Sequence, residues 1–196
     1  MYLIVGLGNP GRPYRYTRHN TGFRVIELWS RKLGVRLSSR SFRSKNTRTK
    51  FQGKDIMLLC PLTFMNRSGE SVRACAAFHN LETSEILVVH DDLDLPLGRL
   101  KVVKSGGPGG HKGVISIVEA LGSTEFSRIK VGIGRPRYGE EIEDFVLSPF
   151  YGDEQSTVQE VLGAAVQACE LFIMEGVKSA MNQMNCLNFS YKEVQS

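Results

Sequence analysis

The sequence predicts an α/β fold: a single domain over residues 1–196, built on a twisted, mixed and largely parallel β-sheet flanked by α-helices. Three observations predict it. Short, branched, apolar runs alternate with longer amphipathic stretches along the chain. Those runs end in polar or glycine-rich turns, as strands do when helices follow them. The length of 196 residues and the 41% hydrophobic content suffice for one sizeable core.

The elements follow in order. Residues 2–8 read as a buried strand ended by the turn Gly8-Asn9-Pro10-Gly11. Thr21 to Leu33 reads as a helix, with Phe23, Ile26, Leu28 and Trp29 apolar and Gly34 as its stop. Residues 40–52 alternate weakly and are strongly basic, which fits an exposed or edge strand. "DIMLLCP" (55–61) is a second buried strand, and Asn66 to Phe78 a second helix. "EILVVHDD" (85–92) is a strand that ends in charge. "GRLKVVKSGG" (98–107) is strand-like and runs into a glycine-rich loop, followed by a helix over Val114 to Leu121. "RIKVGIGRP" (128–136) is a strand, residues 135–146 a lid-like loop, and Asp153 to Glu175 a long helix. The helical signal resumes from Val177 to Leu187.

Charge is unevenly placed. Residues 1–137 carry 23 Lys/Arg and 10 Asp/Glu, a net +13, while residues 138–196 carry 2 and 10, a net −8. Residues 12–54 hold 13 basic residues against one acid, Glu27. Such a field fits a polyanionic partner, nucleic acid being the commonest, or a plain solvated surface. The cysteines Cys60, Cys75, Cys169 and Cys186 form no C-x-x-C pair, so neither a zinc site nor a disulfide framework is expected. No apolar run approaches bilayer length and no basic leader opens the chain, so the expected location is the cytoplasm, away from membranes.

Gly6, Gly8 and Gly11 spell the dinucleotide fingerprint G-x-G-x-x-G. The context rejects it. Pro13 holds Arg12 out of a helix, so no helix opens at Gly11 to face a pyrophosphate. Residues 29–36 lack the acid that would bind a ribose. No cofactor is expected. "SGGPGGHKG" (105–113) fails as a P-loop, since Gly113 follows Lys112 where a hydroxyl is needed. It fits equally a flexible turn or a loop whose backbone approaches a phosphate.

Polar residues gather where open α/β sheets bind ligands, beyond the carboxyl ends of strands. Asn9 closes the first strand, Asp91 and Asp92 close "ILVVHDD", and Asn66 follows "PLTF". His19 lies in a polar loop before a helix. A histidine backed by a carboxylate is a general-base pair, and asparagine amides can donate to a carbonyl oxygen that gains charge. With no nucleophilic serine or thiolate motif, water would attack, which outlines hydrolysis of an activated carbonyl such as an ester. A surface or capping role accounts for His19 equally well. A metal cluster at "HDDLD" is not expected, because the histidines show no ligand spacing.

The stretches "LIVGLGNPGRPYRYTRHNTGF", "PLTFMNRSGESV", "VVHDDLDLPLGRLKV", "GGPGGHKG" and "RIKVGIGRP", in this order, resemble the bacterial-type peptidyl-tRNA hydrolases. The resemblance runs from about residue 2 to 187. It implies an esterase that cleaves the bond between a peptide and the 3′-terminal ribose of tRNA, without metal or cofactor, as a cytoplasmic monomer. By motif match, His19 is the base for water, Asp91 holds its basic form, and Asn9 and Asn66 position the peptide and ester. Tyr14 and Phe64 line the groove for the peptide and the tRNA 3′ end, and Lys101 and Lys130 meet tRNA phosphates. One position departs from the pattern: the family loop usually reads His-Asn-Gly, and this chain has His111-Lys112-Gly113. A lysine cannot accept a hydrogen bond as the amide does, though its charge can hold a phosphate or ribose oxygen. Two other readings compete: an RNA-binding module without catalysis, and a nicotinamide-dependent oxidoreductase, which the failed fingerprint disfavours.

Overall fold

A computed structural model describes residues 1–189; the last seven residues of the expected 1–196 domain lie outside the described part. The elements are β1 (Tyr2–Gly6), α1 (Thr21–Lys32), β2 (Ser44–Phe51), β3 (Lys54–Pro61), α2 (Ser68–Phe78), β4 (Ile86–Asp92), β5 (Leu100–Val103), α3 (Lys112–Leu121), β6 (Ser127–Gly132), α4 (Ile142–Val146), α5 (Gln155–Glu175) and α6 (Val177–Met184). The six strands form one sheet in the order β2-β3-β1-β4-β6-β5. The inner pairings β3–β1, β1–β4 and β4–β6 are parallel. The edge strands β2 and β5 join antiparallel. The mixed, largely parallel sheet is as expected, and the basic strand is indeed an edge.

Period-2 alternation divides the core. Ile4, Ile56, Leu58, Leu87 and Val89 face α1, α5 and α6. Leu3, Val5, Met57, Leu59, Ile86 and Val88 face α2 and α3. Both faces are covered, which is why these strands read as unbroken apolar runs rather than alternating ones. The span Gly152–Glu175 is long and apolar enough to cross a bilayer by length and composition, but 61% of that window is buried inside the protein. Its Val158, Val161, Ala165, Cys169 and Phe172 pack into the first core.

Several boundaries differ from the sequence reading. The strand expected from residue 40 begins at Ser44, because Phe42 and Arg43 take positive φ of 54° and 50°. Asn66 sits in a 3₁₀ turn (Met65–Arg67) ahead of α2. β5 stops at Val103, and the stretch to Gly107 belongs to the glycine loop. β6 stops at Gly132, since Gly134 turns with φ +69°. The lid-like 135–146 segment contains the short helix α4. The last helix ends at Met184, short of Leu187.

Candidate active site

The site begins with two glycines. A Cβ on Gly6 would stand 2.2 Å from the Gly22 carbonyl oxygen, and one on Gly22 would stand 2.3 Å from Leu7 N and Val89 O. Their absence lets α1 press against β1 and β4. The 3₁₀ turn Arg18–Asn20 that precedes α1 is thereby drawn to the carboxyl ends of those strands. This is the structural use of "GLGNPG": close packing, not a cofactor cradle.

His19 on that turn meets Asp91 at the end of β4. Its Nδ1 lies 3.0 Å from both carboxylate oxygens. His111 grips the same carboxylate, with Nε2 3.0 Å from Oδ1. The tautomer of His111 follows from its other nitrogen. Nδ1 accepts the backbone N–H groups of Gly113 and Val114 at 3.2 and 3.3 Å, capping α3. The proton therefore sits on Nε2, which donates to Asp91.

The electrostatics follow from burial against pairing. Burial opposes a charge on His19, and Lys112 opposes it further, but the charge and hydrogen bond of Asp91 prevail and raise its pKa above the ordinary histidine value. Burial alone would raise the Asp91 pKa; the two imidazoles override it and hold the carboxyl well below the usual carboxylate range. Burial, and then the neighbouring His111, push His90 the other way, well below the ordinary histidine value. Its Nδ1 donates to the Asp91 carbonyl at 2.7 Å.

Asn9 is locked in place. Asn20 receives the Asn9 N–H at 2.8 Å and donates to the Asn9 carbonyl at 2.9 Å. The side-chain oxygen of Asn9 accepts Met65 N–H at 2.8 Å. Its NH₂ is then the group free to donate.

A cavity of about 470 Å³ opens here, lined by Asn9, His19, Phe64, Asn66, Asp91 and Lys112 among others. These six expected site residues come together. Tyr14 does not line this cavity; it lies in the 3₁₀ turn Arg12–Tyr14. Lys101 and Lys130 do not line it either. They face each other across β5 and β6, and Lys130 pairs with Asp92 at 2.5 Å. Lys112, at the head of α3, forms an ion pair with Glu143 of α4, bridging the mouth. Ile142, Val146 and Leu147 supply the apolar wall on that side.

His111, Asn20 and the α4 wall belong to the site without having been expected there from the sequence. No ligand spacing was expected among the histidines either, yet the fold gathers His19, Asp91 and His111 with one ligand atom each within 4.8 Å of one another. Those donor types suit zinc. In this geometry, however, both rings spend the relevant nitrogen on the carboxylate at hydrogen-bond distance, and His111 Nε2 is protonated by its capping role.

The family model described as peptidyl-tRNA hydrolase matches residues 3–194. A peptidyl-tRNA hydrolase from Symbiobacterium thermophilum is 45% identical over 185 residues, covering 93% of this chain and 98% of that protein. One from Thermodesulfovibrio yellowstonii is 44% identical over 194 residues, covering 95% and 100%. The crystal structure of peptidyl-tRNA hydrolase from Acinetobacter baumannii superposes with a TM-score of 0.90 at 37% identity, over 97% of each chain. On the match of the family model over nearly the whole chain and these close relatives, the chain belongs to the peptidyl-tRNA hydrolase family.

Proposed function

We propose that this enzyme hydrolyses the ester between a peptide and the 3′-terminal ribose of tRNA, with His19 as general base. The observation that carries the reading is the half-buried His19 held by the buried Asp91 at the wall of an open cavity. Nδ1 faces the carboxylate, so Nε2 is the nitrogen left to take a proton from water. The water oxygen attacks the ester carbonyl. The Asn9 NH₂ donates to the carbonyl oxygen as charge develops there. Asn66, exposed at the cavity wall, positions the peptide side, and Phe64 offers an apolar surface. The ribose oxygen then departs with the proton carried by His19.

Lys112 supplies a cation at the mouth, Lys101 and Lys130 meet phosphates farther along the tRNA, and Tyr14, on the turn ahead of His19, contacts the tRNA 3′ end. The whole chain 1–196 acts as one domain and as a monomer, without metal or cofactor, in the cytoplasm where its substrate is made. Peptide release from peptidyl-tRNA, followed beside tRNA binding, tests this reading. Turnover supports it; tight binding with no release at any enzyme concentration would instead favour a non-catalytic RNA-binding protein.

A further inference from the structure

Asn20 stands at the N-terminus of α1, where an asparagine ordinarily caps the free backbone N–H groups of its helix. It makes no capping bond. Its amide instead closes a two-point clamp on the residue Asn9. Oδ1 accepts the Asn9 N–H at 2.8 Å, and Nδ2 donates to the Asn9 carbonyl at 2.9 Å. A fork that accepts and donates at once is what a side-chain amide offers and a hydroxyl or carboxylate of similar size does not.

The local sequence leaves the clamp without a substitute. Neither backbone group of Asn9 makes a main-chain hydrogen bond among the described residues. Pro10 follows, so the next position has no N–H with which to close the turn. Gly8 makes the room: a Cβ there would stand 3.0 Å from Asn20 Cγ and 2.7 Å from the Phe23 ring. Asn20 is 2% exposed, which keeps water from competing for either bond.

The group that hangs from this clamped backbone is the Asn9 amide, at the wall of the first cavity. Met65 N–H holds its oxygen at 2.8 Å, and Asn20 holds its main chain. A donor aimed at developing charge is effective because it is fixed before the charge appears. Asn20 also follows His19 directly on the 3₁₀ turn Arg18–Asn20. One turn therefore carries the base and holds the donor.

We propose that Asn20 is a positioning residue of the ester hydrolysis. Its side chain fixes the Asn9 NH₂ relative to His19, and it does so in place of capping α1. This inference rests on the ester-hydrolase reading above.

The test measures peptidyl-tRNA cleavage by wild type, Asn20→Ser and Asn20→Asp, and by the same two variants in an Asn9→Ala background. Both replacements are good helix caps, but serine is too short to span Asn9, and aspartate keeps the acceptor while losing the donor. Aspartate preserves the size of the side chain, so the test stands even if serine unfolds the turn. In the Asn9 background kcat should fall roughly 10- to 10²-fold, with KM retained. In the Asn9→Ala background neither replacement should lower kcat further. The acid limb of the pH profile should stay in place for Asn20→Ser, because the His19–Asp91 contact is untouched. Equal fold losses in the two backgrounds overturn the proposal, since Asn20 would then act through the fold or through His19. A shifted acid limb in Asn20→Ser overturns it too, as does wild-type kcat in either variant.

Amide hydrogen exchange reads the clamp without turnover. The Asn9 N–H should exchange about tenfold faster in Asn20→Ser than in wild type. Leu7 N–H, bonded to the Val89 carbonyl at 2.9 Å, should keep its protection. Equal protection of Asn9 in the two proteins overturns the proposal. If wild type does not cleave peptidyl-tRNA, the hydrolase reading fails, while the exchange still decides whether Asn20 holds Asn9.

Discussion

His19 Nδ1 lies 3.0 Å from each oxygen of the Asp91 carboxylate, and neither side chain is freely exposed. That contact raises the pKa of His19 against the burial that lowers it; with His19 as the proposed base, it would set the acid limb of activity. A general base must be neutral to work. Because Asp91 raises its pKa, activity should fall as pH drops through a value above the ordinary 6.5. Asp91→Asn removes the raising charge and leaves the burial that lowers the pKa. The acid limb should move to lower pH and kcat should fall by roughly 10²-fold or more. A pH–rate profile of the two proteins checks this; an acid limb that does not move contradicts it.

Lys112 works against the protonation of His19. Lys112→Asn should therefore raise the acid limb of the pH profile. Glu143→Gln frees the Lys112 charge from its partner and should lower it. Shifts in the same direction for both variants would show that the pair acts through the α4 wall rather than through charge.

Arg18 carries stability. Its guanidinium is buried, pairs with Glu154 at 2.7 Å and lies 4.2 Å from the Phe145 ring centroid and 4.5 Å from that of Tyr151. It also donates to the Pro149 carbonyl and so ties the His19 turn to the chain after α4. Glu154→Gln leaves a buried cation without a counter-charge and should lower unfolding stability by about 3–5 kcal/mol. Urea denaturation at neutral pH measures it; a loss well below 1 kcal/mol would mean that water or Arg137 rearrangement compensates.

Gly22 carries geometry. An alanine there meets the backbone of Leu7, just past β1, and of Val89 in β4, with no flexible side chain to displace. Gly22→Ala should destabilise by roughly 1–3 kcal/mol. It should also lower kcat, because the His19 turn moves with α1. Full activity in a folded Gly22→Ala protein would show that the turn is positioned independently of the helix.

The layout of the sheet was legible because buried parallel strands must be apolar and end in turns. That Asn9, Asp91 and Asn66 lie near one another was legible because residues just beyond the carboxyl ends of parallel strands share one edge of the sheet; a role for them and for His19 came only with the family resemblance. The remainder depended on contacts distant in sequence. Asn20 stands where a helix cap would, yet its side chain makes no capping bond and pairs with the Asn9 backbone instead. His111 looks like part of a flexible glycine loop, and only the fold shows that it caps α3 and reaches Asp91. Tyr14 and the basic pair Lys101 and Lys130 could not be placed relative to the cavity from spacing alone.

The central claim is that His19 activates the water that cleaves peptidyl-tRNA. Single-turnover release of peptide from peptidyl-tRNA, with wild type and His19→Ala at saturating enzyme, tests it most directly. The cleavage rate of the variant should fall roughly 10²–10⁴-fold, with tRNA affinity retained. Cleavage by His19→Ala at the wild-type rate would contradict it.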